Sequence, residues 1–258
     1  MENQFNPLVT IVTPSFNQGQ FIEETILSVL NQTYKNIQYI IVDGGSTDKT
    51  MEVVNKYGDR IDIIIHENDK GQADAINKGF RLAKGELIGW INSDDILYPD
   101  CLEKIVVLYN ENSDAAIYYH SINNKIDELS NVIKTYQHII PDRNHLLKNN
   151  YNVVQPGSFY NRTLVEKVGF LNIENHYCMD LDLWLSLLKY GSILYTYDKP
   201  HSGFRIYSGT KTDTGKEKFL KNIYSVLVKH GAKCYYPTIW RRIYTYWFKV
   251  LIKNMIVR

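Results

Sequence analysis

The chain predicts an α/β fold: a parallel sheet with helices on its faces, followed by a helical C-terminal tail. Three observations carry this. Over roughly the first 110 residues, short apolar runs alternate with segments of helical periodicity. The helices between the runs are long enough for parallel, right-handed crossovers. Polar residues collect at the ends of the runs, where an open α/β sheet gathers its ligands.

Val9–Thr13 (VTIVT) reads as a buried strand stopped at Pro14. Phe21–Asn31 follows as a helix with Ile22, Ile26, Val29 and Leu30 on one face. Tyr39–Val42 is the second strand and ends at Asp43-Gly44-Gly45. Ser46, Thr47 and Asp48 offer N-cap oxygens to a helix reaching Tyr57, which Gly58 closes. Ile61–Ile65 is the third strand, Ala73–Lys84 the third helix and Glu86–Ile91 the fourth strand. Pro99 opens a helix carrying Leu102, Ile105, Val106 and Tyr109. Beyond it the pattern loosens. Ala115–Asn123, Gly157–Tyr160 and Ile193–Tyr197 read as strands, Thr163–Val168 and Asp180–Tyr190 as helices. Lys125–Asn150 is polar and follows neither period. Thr214–His230 is an amphipathic helix with Phe219, Leu220, Ile223, Val226 and Leu227 inward.

With 258 residues, 44% of them hydrophobic, the chain can bury a sizeable core and does not read as disordered. Its three cysteines, Cys101, Cys178 and Cys234, are far apart and odd in number, which fits a reducing cytosol better than a disulfide framework. The opening MENQFNPLVT has no basic n-region and no apolar h-region, so no secretory signal is expected. No apolar segment approaches the roughly 20 residues of a bilayer span. The net charge of +1 is unevenly spread: seven Lys/Arg and no acids lie from Lys229 onward, leaving 22 basic against 28 acidic residues before it. An acidic body with a basic tail suits an anionic partner for the tail. No nucleic-acid partner is expected.

The strand ends carry Thr13-Pro14-Ser15, Asp43, Glu67 to Asp69, and Asn92 to Asp95. Asp94 and Asp95 are adjacent carboxylates that repel. A shared Mg²⁺ or Mn²⁺ offsets the repulsion, and such ions usually take one or two carboxylates plus substrate phosphates. That implies a phosphorylated ligand. In the competing reading Asp94 caps the following turn and Asp95 is merely solvated. Two common phosphate binders are excluded. No G-x-G-x-x-G follows the first strand, and GTKTDTGKE (209–217) has five residues between its glycines and Glu217 where a P-loop needs Ser or Thr. The seven histidines are dispersed and form no zinc spacing.

Four segments, in order, resemble the family-two glycosyltransferases: VTIVTPSFNQGQFIEETILSVLNQTYKNIQYIIVDGGSTDKT, ENDKGQADAINKGFRLAKGELIGWINSDDILYPD, QPGSFYNRTLVEKVGFLN and HYCMDLDLWLSLLKYG. The resemblance runs from Val9 to about Thr212. It implies a GT-A (Rossmann-like) nucleotide-sugar domain over residues 1–212, a tail over 213–258, and inverting sugar transfer from a nucleoside-diphosphate donor, UDP favoured, to a glycan hydroxyl in surface-polysaccharide synthesis. Carried over by position, Thr13, Pro14 and Ser15 match the turn that meets the nucleobase. Asp43 matches the acid that accepts from the uracil imide, although an Asx-turn before Gly44-Gly45 is an equally physical use of it. Asp69, Gly71, Gln72 and Asp74 match the donor-side loop. Asn92-Ser93-Asp94 occupies the D-x-D position, making Asp94 and Asp95 the expected ligands of Mn²⁺ or Mg²⁺, with Asn92 in place of the first Asp. Asp180 matches the general base and Asp182 its neighbour, with Met179 where the family often has Glu. Both also complement a helix dipole. Arg205 and Lys211 lie in a loop that would neutralise the diphosphate, with Tyr207 where His is frequent. Two rivals remain: a nucleotidyltransferase, and a sugar-binding or scaffold subunit with a decayed site.

The tail from Tyr235, YYPTIWRRIYTYWFKVLIKNMIVR, mixes Trp and Phe with Arg and Lys. That is the composition of an interfacial helix on an anionic leaflet, placing the chain in the cytoplasm, peripheral on the inner face of the membrane, near a lipid-linked acceptor. The alternative is a helix packed on the body or on a second subunit of a homodimer.

Overall fold

Strand β1 (Val9–Ser15) is buried along its whole length and sits between two parallel neighbours, β2 (Ile37–Asp43) and β4 (Leu87–Trp90). A strand covered on both faces must be apolar on both. Here Ile11 faces a cluster with Ile22, Ile26, Leu102 and Ile105, while Val12 faces one with Phe80, Trp90 and Trp184. The computed structural model describes residues 5–208 and 216–240, with Tyr244, Trp247 and Phe248.

The main sheet has seven strands. Edge strand β3 (Ile63–His66) pairs with β2, and β9 (Ser158–Asn161) runs antiparallel between β4 and β6 (Ile117–His120). At the far edge β10 (Ile193–Thr196) lies parallel to β6. Helices α1 (Ile22–Leu30), α2 (Thr50–Asn55), α3 (Gln72–Leu82) and α4 (Cys101–Glu111) are the crossovers the sequence predicts. Gly79 lets α3 approach β1: a Cβ there would lie 2.5 Å from Val12 Cγ1.

A second, four-stranded sheet stands beside the first, in the order β5 (Ile96–Leu97), β11 (Ser202–Arg205), β7 (Ile122–Ile126), β8 (Val132–Gln137). It contains most of the departures from the sequence reading. The expected strand 115–123 breaks at Ser121, and its two halves join different sheets. The polar stretch after Lys125 forms the β7–β8 hairpin and then α5 (Arg143–Lys148). The hairpin turn is held by Asp127 Oδ1, which accepts from the backbone N–H groups of Leu129 and Asn131, with Ser130 at positive φ. Phe204 and Arg205, expected in a loop, belong to strand β11. Helix α2 stops at Asn55, and Gly58 opens a 3₁₀ turn instead of closing the helix.

Helices α6 (Arg162–Val168) and α7 (Met179–Leu187) cover the other half of the sheet. Helix α8 (Lys216–Lys229) buries Ile223, Val226 and Leu227 in the same cluster as Val12 and Trp184. A short turn, Pro237–Ile239, packs on α5 with Ile239 fully buried. The described part of the expected tail, as far as Ile239, is therefore integral to the body. Trp240, Tyr244, Trp247 and Phe248 are exposed, and the rest of the basic-aromatic segment lies outside the described residues. The three cysteines are free. Among the described residues no helix is long and apolar enough to cross a membrane.

Candidate functional site

The ends of β1 and β4, the N-terminus of α7 and one face of the second sheet enclose a cavity of about 950 Å³. Pro14, Ser15, Asp69, Gly71, Gln72, Asn92, Asp94, Asp180 and Arg205 all line it, so the topology gathers most of the residues expected at the site. Two buried polar atoms on its wall, Ser15 Oγ and Gln18 Oε1, have no partner among the described residues. Buried groups of this kind are normally satisfied, so their position on a cavity wall suits a polar ligand.

The Asn92 side chain is the hub of the floor. Its Oδ1 accepts from Gln72 Nε2 (2.7 Å), while its Nδ2 donates to Asp95 Oδ2 (2.9 Å) and Gln155 Oε1 (3.0 Å). Gln155 is oriented by donating its own Nε2 to the Trp90 carbonyl (2.9 Å). An amide supplies two protons here and a carboxylate none. The departure from D-x-D thus has a local cause.

Asp95 does not reach the cavity. It is 1% exposed; Oδ1 accepts from the Arg205 backbone N–H (2.8 Å) and Oδ2 from Asn92. Burial, then the adjacent Asp94 charge, hold its carboxyl well above the usual carboxylate range. The shared-cation expectation is therefore corrected for Asp95. Asp94 does face the cavity, where its Oδ2 accepts from the Tyr207 hydroxyl (3.1 Å). Burial and the Asp94 charge push that phenol up to about 12, so it stays a neutral donor. Among the described residues no three His, Cys, Asp or Glu side chains are grouped to hold a metal. A cation at Asp94 therefore needs further oxygens from a phosphorylated substrate, the mode common for Mg²⁺.

Arg205 does not present its charge to the cavity. Nε donates to the Asp94 carbonyl (2.7 Å), Nη1 to the carbonyls of Asp127 and Glu128 and to Ser130 Oγ, and Nη2 to Glu24 Oε2 (2.6 Å). The guanidinium also lies 4.8 Å from the Phe21 ring centroid. All three nitrogens are engaged within the protein, so the expected phosphate contact is replaced by a clamp. Lys211 lies outside the described residues.

The remaining donor-side residues divide. Thr13 Oγ1 is bonded to the Tyr39 hydroxyl inside the sheet. Asp43 is fully buried and accepts from Gly45 N, Ser46 N, Ser46 Oγ and His66 Nδ1. The Asx-turn is thus formed, and the carboxylate does not line the cavity. Asp69 Oδ1 accepts from Gly71 N (2.7 Å), fixing a loop in which Gly71 has φ 108°. A Cβ at Gly44 would lie 2.5 Å from Asp69 Oδ2. Asp74 closes the start of α3 by accepting from Lys70 N, away from the cavity.

The two candidate bases separate completely. Asp180 is in the first turn of α7, on the cavity wall, with Oδ1 accepting from Leu181 N (2.8 Å). Burial raises its carboxyl to about 6. Asp182 points into the protein and accepts from Lys229 Nζ (2.9 Å) and His230 Nε2 (2.6 Å), tying α7 to the end of α8. Burial pushes the Asp182 carboxyl up, but the bonds from His230 and Lys229 outweigh it and hold it below the usual range. Its expected catalytic role is corrected to a structural one. Met179, at the Glu position, joins the core cluster and also lines the cavity. The sequence reading missed Gln18, Gln155, Lys125, Lys134 and Tyr136, all on the cavity wall. The period-2 spacing of Lys134 and Tyr136 was the available signal.

The hub generates a test. Asn92→Asp places a carboxylate against Asp95 and Gln155 and is expected to cost about 1–3 kcal/mol of stability at pH 7.5. Because the folded Asp95 carboxyl is raised above its unfolded value, its charge penalises folding as pH rises and the penalty vanishes at low pH. Thermal unfolding should therefore show a larger loss at pH 7.5 than at pH 5. An equal loss at both would mean the two acids do not interact.

Comparison with known proteins follows this geometry. The model for "Glycosyl transferase family 2" matches residues 10–169. An uncharacterized glycosyltransferase of Rickettsia typhi is 32% identical over 209 residues, 76% of this chain and 64% of the relative. The putative teichuronic acid biosynthesis glycosyltransferase TuaG of Bacillus subtilis is 30% identical over 211 residues, 80% of this chain and 82% of the relative. The chain spans only 33% of another relative, an uncharacterized glycosyltransferase of Rickettsia felis. Among solved structures, S. aureus TarS 1–349 in complex with UDP-GlcNAc superposes with a TM-score of 0.69 at 16% identity, over 86% of this chain and 66% of that one. The mannosyltransferase PcManGT of Pyrobaculum calidifontis, in complex with GDP-Man and Mn²⁺, gives 0.62 at 17% identity, over 88% and 63%. The fold is GT-A, and the chain belongs to glycosyl transferase family 2.

Proposed function

We propose that this chain is an inverting glycosyltransferase that moves a sugar from a nucleoside-diphosphate donor, a UDP-sugar favoured, to a glycan hydroxyl in surface-polysaccharide synthesis. The observation that carries the reading is one cavity lined by both Asp94, at the end of β4, and Asp180, at the start of α7. The UDP-GlcNAc and GDP-Man complexes of the fold neighbours and the teichuronic-acid name of the TuaG relative support it.

Asp180 is the general base. With its carboxyl near 6 it is mostly ionised at neutral pH, yet more basic than an ordinary aspartate. Its carboxylate takes the proton of the acceptor hydroxyl as the hydroxyl oxygen bonds to the anomeric carbon. The bond from that carbon to the diphosphate breaks on the opposite face, its electron pair leaves with the phosphate oxygen, and the configuration inverts. Asp94 would hold Mn²⁺ or Mg²⁺ with the diphosphate, and the ion's contribution is to offset charge on the leaving group. Tyr207 orients Asp94 by its hydrogen bond.

Three measurements test this. Asp180→Asn should lower transfer by ~10²–10⁴-fold with UDP affinity unchanged. In the unsubstituted protein kcat/KM should fall as pH drops through about 6, because only the ionised carboxylate accepts the proton. Normal transfer by Asp180→Asn would remove the assignment. Calorimetry of UDP binding with Mn²⁺ and with chelator should show a metal-dependent affinity that Asp94→Ala abolishes; equal affinity in both conditions refutes the metal role.

The tail reading extends the proposal to the inner face of the membrane and a lipid-linked acceptor. Since Ile239 is core, the informative truncation ends at Trp240. It should fold and bind UDP but lose sedimentation with anionic vesicles, which in the full chain should weaken as salt rises. Loss of a dimer instead, with no dependence on anionic lipid, would assign the segment to a subunit interface.

A further inference from the structure

Lys125 and Lys134 face each other directly across the β7–β8 ladder. Like charges opposite one another destabilise a strand pair. Both lysines line the cavity, and among the described residues no carboxylate forms an ion pair with either. A lysine on an edge strand also discourages sheet-to-sheet pairing, which would explain Lys134 alone. Lys125 is on the inner strand, flanked by β11 and β8, where that purpose does not arise.

Their neighbours on the same face are aromatic. Phe204 is the ladder partner of Lys125 on β11 and lines the cavity. Tyr136, two residues from Lys134 along β8, also lines it, with Lys125 Nζ 5.9 Å from its ring centroid. A flat aromatic surface with two cations set into it is suited to a sugar ring bearing an anionic substituent: rings pack on its apolar face and ammonium groups take the charge. The donor-side residues Pro14, Ser15, Gln72 and Asn92 come from the other sheet or from α3, and Arg205, which joins the two sheets, has all three guanidinium nitrogens bonded within the protein.

We propose that the β7–β8 hairpin is the acceptor-reading wall of the site, and that the glycan it receives carries a carboxylate or phosphate held between Lys125 and Lys134. The proposal rests on the glycosyl-transfer reading for the word acceptor; the anion preference itself does not.

The test uses the full chain and three probes: methyl β-D-glucuronide, glucose 6-phosphate and methyl β-D-glucoside, titrated by ligand-observed NMR with and without saturating UDP. The anionic probes should bind about tenfold or more tightly than the neutral one, as expected for a charge-assisted hydrogen bond. Whichever anionic probe binds tighter identifies carboxylate or phosphate as the source. Lys125→Met with Lys134→Met should erase the preference while UDP affinity, measured by calorimetry, stays the same and serves as the check on folding. Lys125→Arg with Lys134→Arg should retain it. Equal binding of neutral and anionic probes to the unsubstituted chain overturns the proposal. So does a fall in UDP affinity in the Met variant with intact circular dichroism, which would assign the lysines to the donor. Failure of the unsubstituted chain to bind UDP would count against glycosyl transfer alone, because the probe preference is also read without nucleotide.

Discussion

The buried guanidinium of Arg205 is the constraint on which the site depends. It joins four parts of the chain: Glu24 and Phe21 at α1, the carbonyl of Asp94, the hairpin turn from Asp127 to Ser130, and its own strand β11. A guanidinium withdrawn from water must have its donors satisfied, and breaking such an arrangement by removing one member costs about 3–5 kcal/mol. The geometry is specific to a planar fork with five donors, which a lysine cannot reproduce. Because the clamp grips the backbone of Asp94 and the amide of Arg205 grips Asp95, the second sheet is docked where its face becomes one wall of the cavity.

Two departures from the family pattern acquire reasons in this arrangement. Asn92 stands where an acid is usual because its amide protons satisfy Asp95 and Gln155 at once. Met179 packs into the core under α7 while also lining the cavity. Each of these two substitutions thus has a hydrogen-bonding or packing reason of its own.

The first half of the fold was legible because β1 through α4 keep clean periods and clear breakers. The second sheet was not. No glycine or proline marks Ser121, where the chain changes sheets, and β8 is mostly exposed, so burial leaves little mark on its sequence. Site positions were legible from motifs, but partners were not: Arg205 is 110 residues from the Asp95 it bonds. Asp180 and Asp182 could have been separated from helix geometry alone. Residues two apart in an α-helix point about 200° apart, so both cannot face one cavity.

The bonds that Asp182 accepts from Lys229 and His230 have a wider consequence. They seat α8 so that Phe219 and Ile223 become part of the wall that also carries Asp180. The segment matched by the family model ends at residue 169, before α7 and α8 begin. One chamber is thus lined by two stretches of chain, an early one that carries Pro14, Gln72 and Asp94 and a late one that carries Asp180 and its surroundings. Substitution in the late stretch therefore reaches the Asp180 side of the chamber directly, and the Asp94 side through the grip of Arg205 and Tyr207.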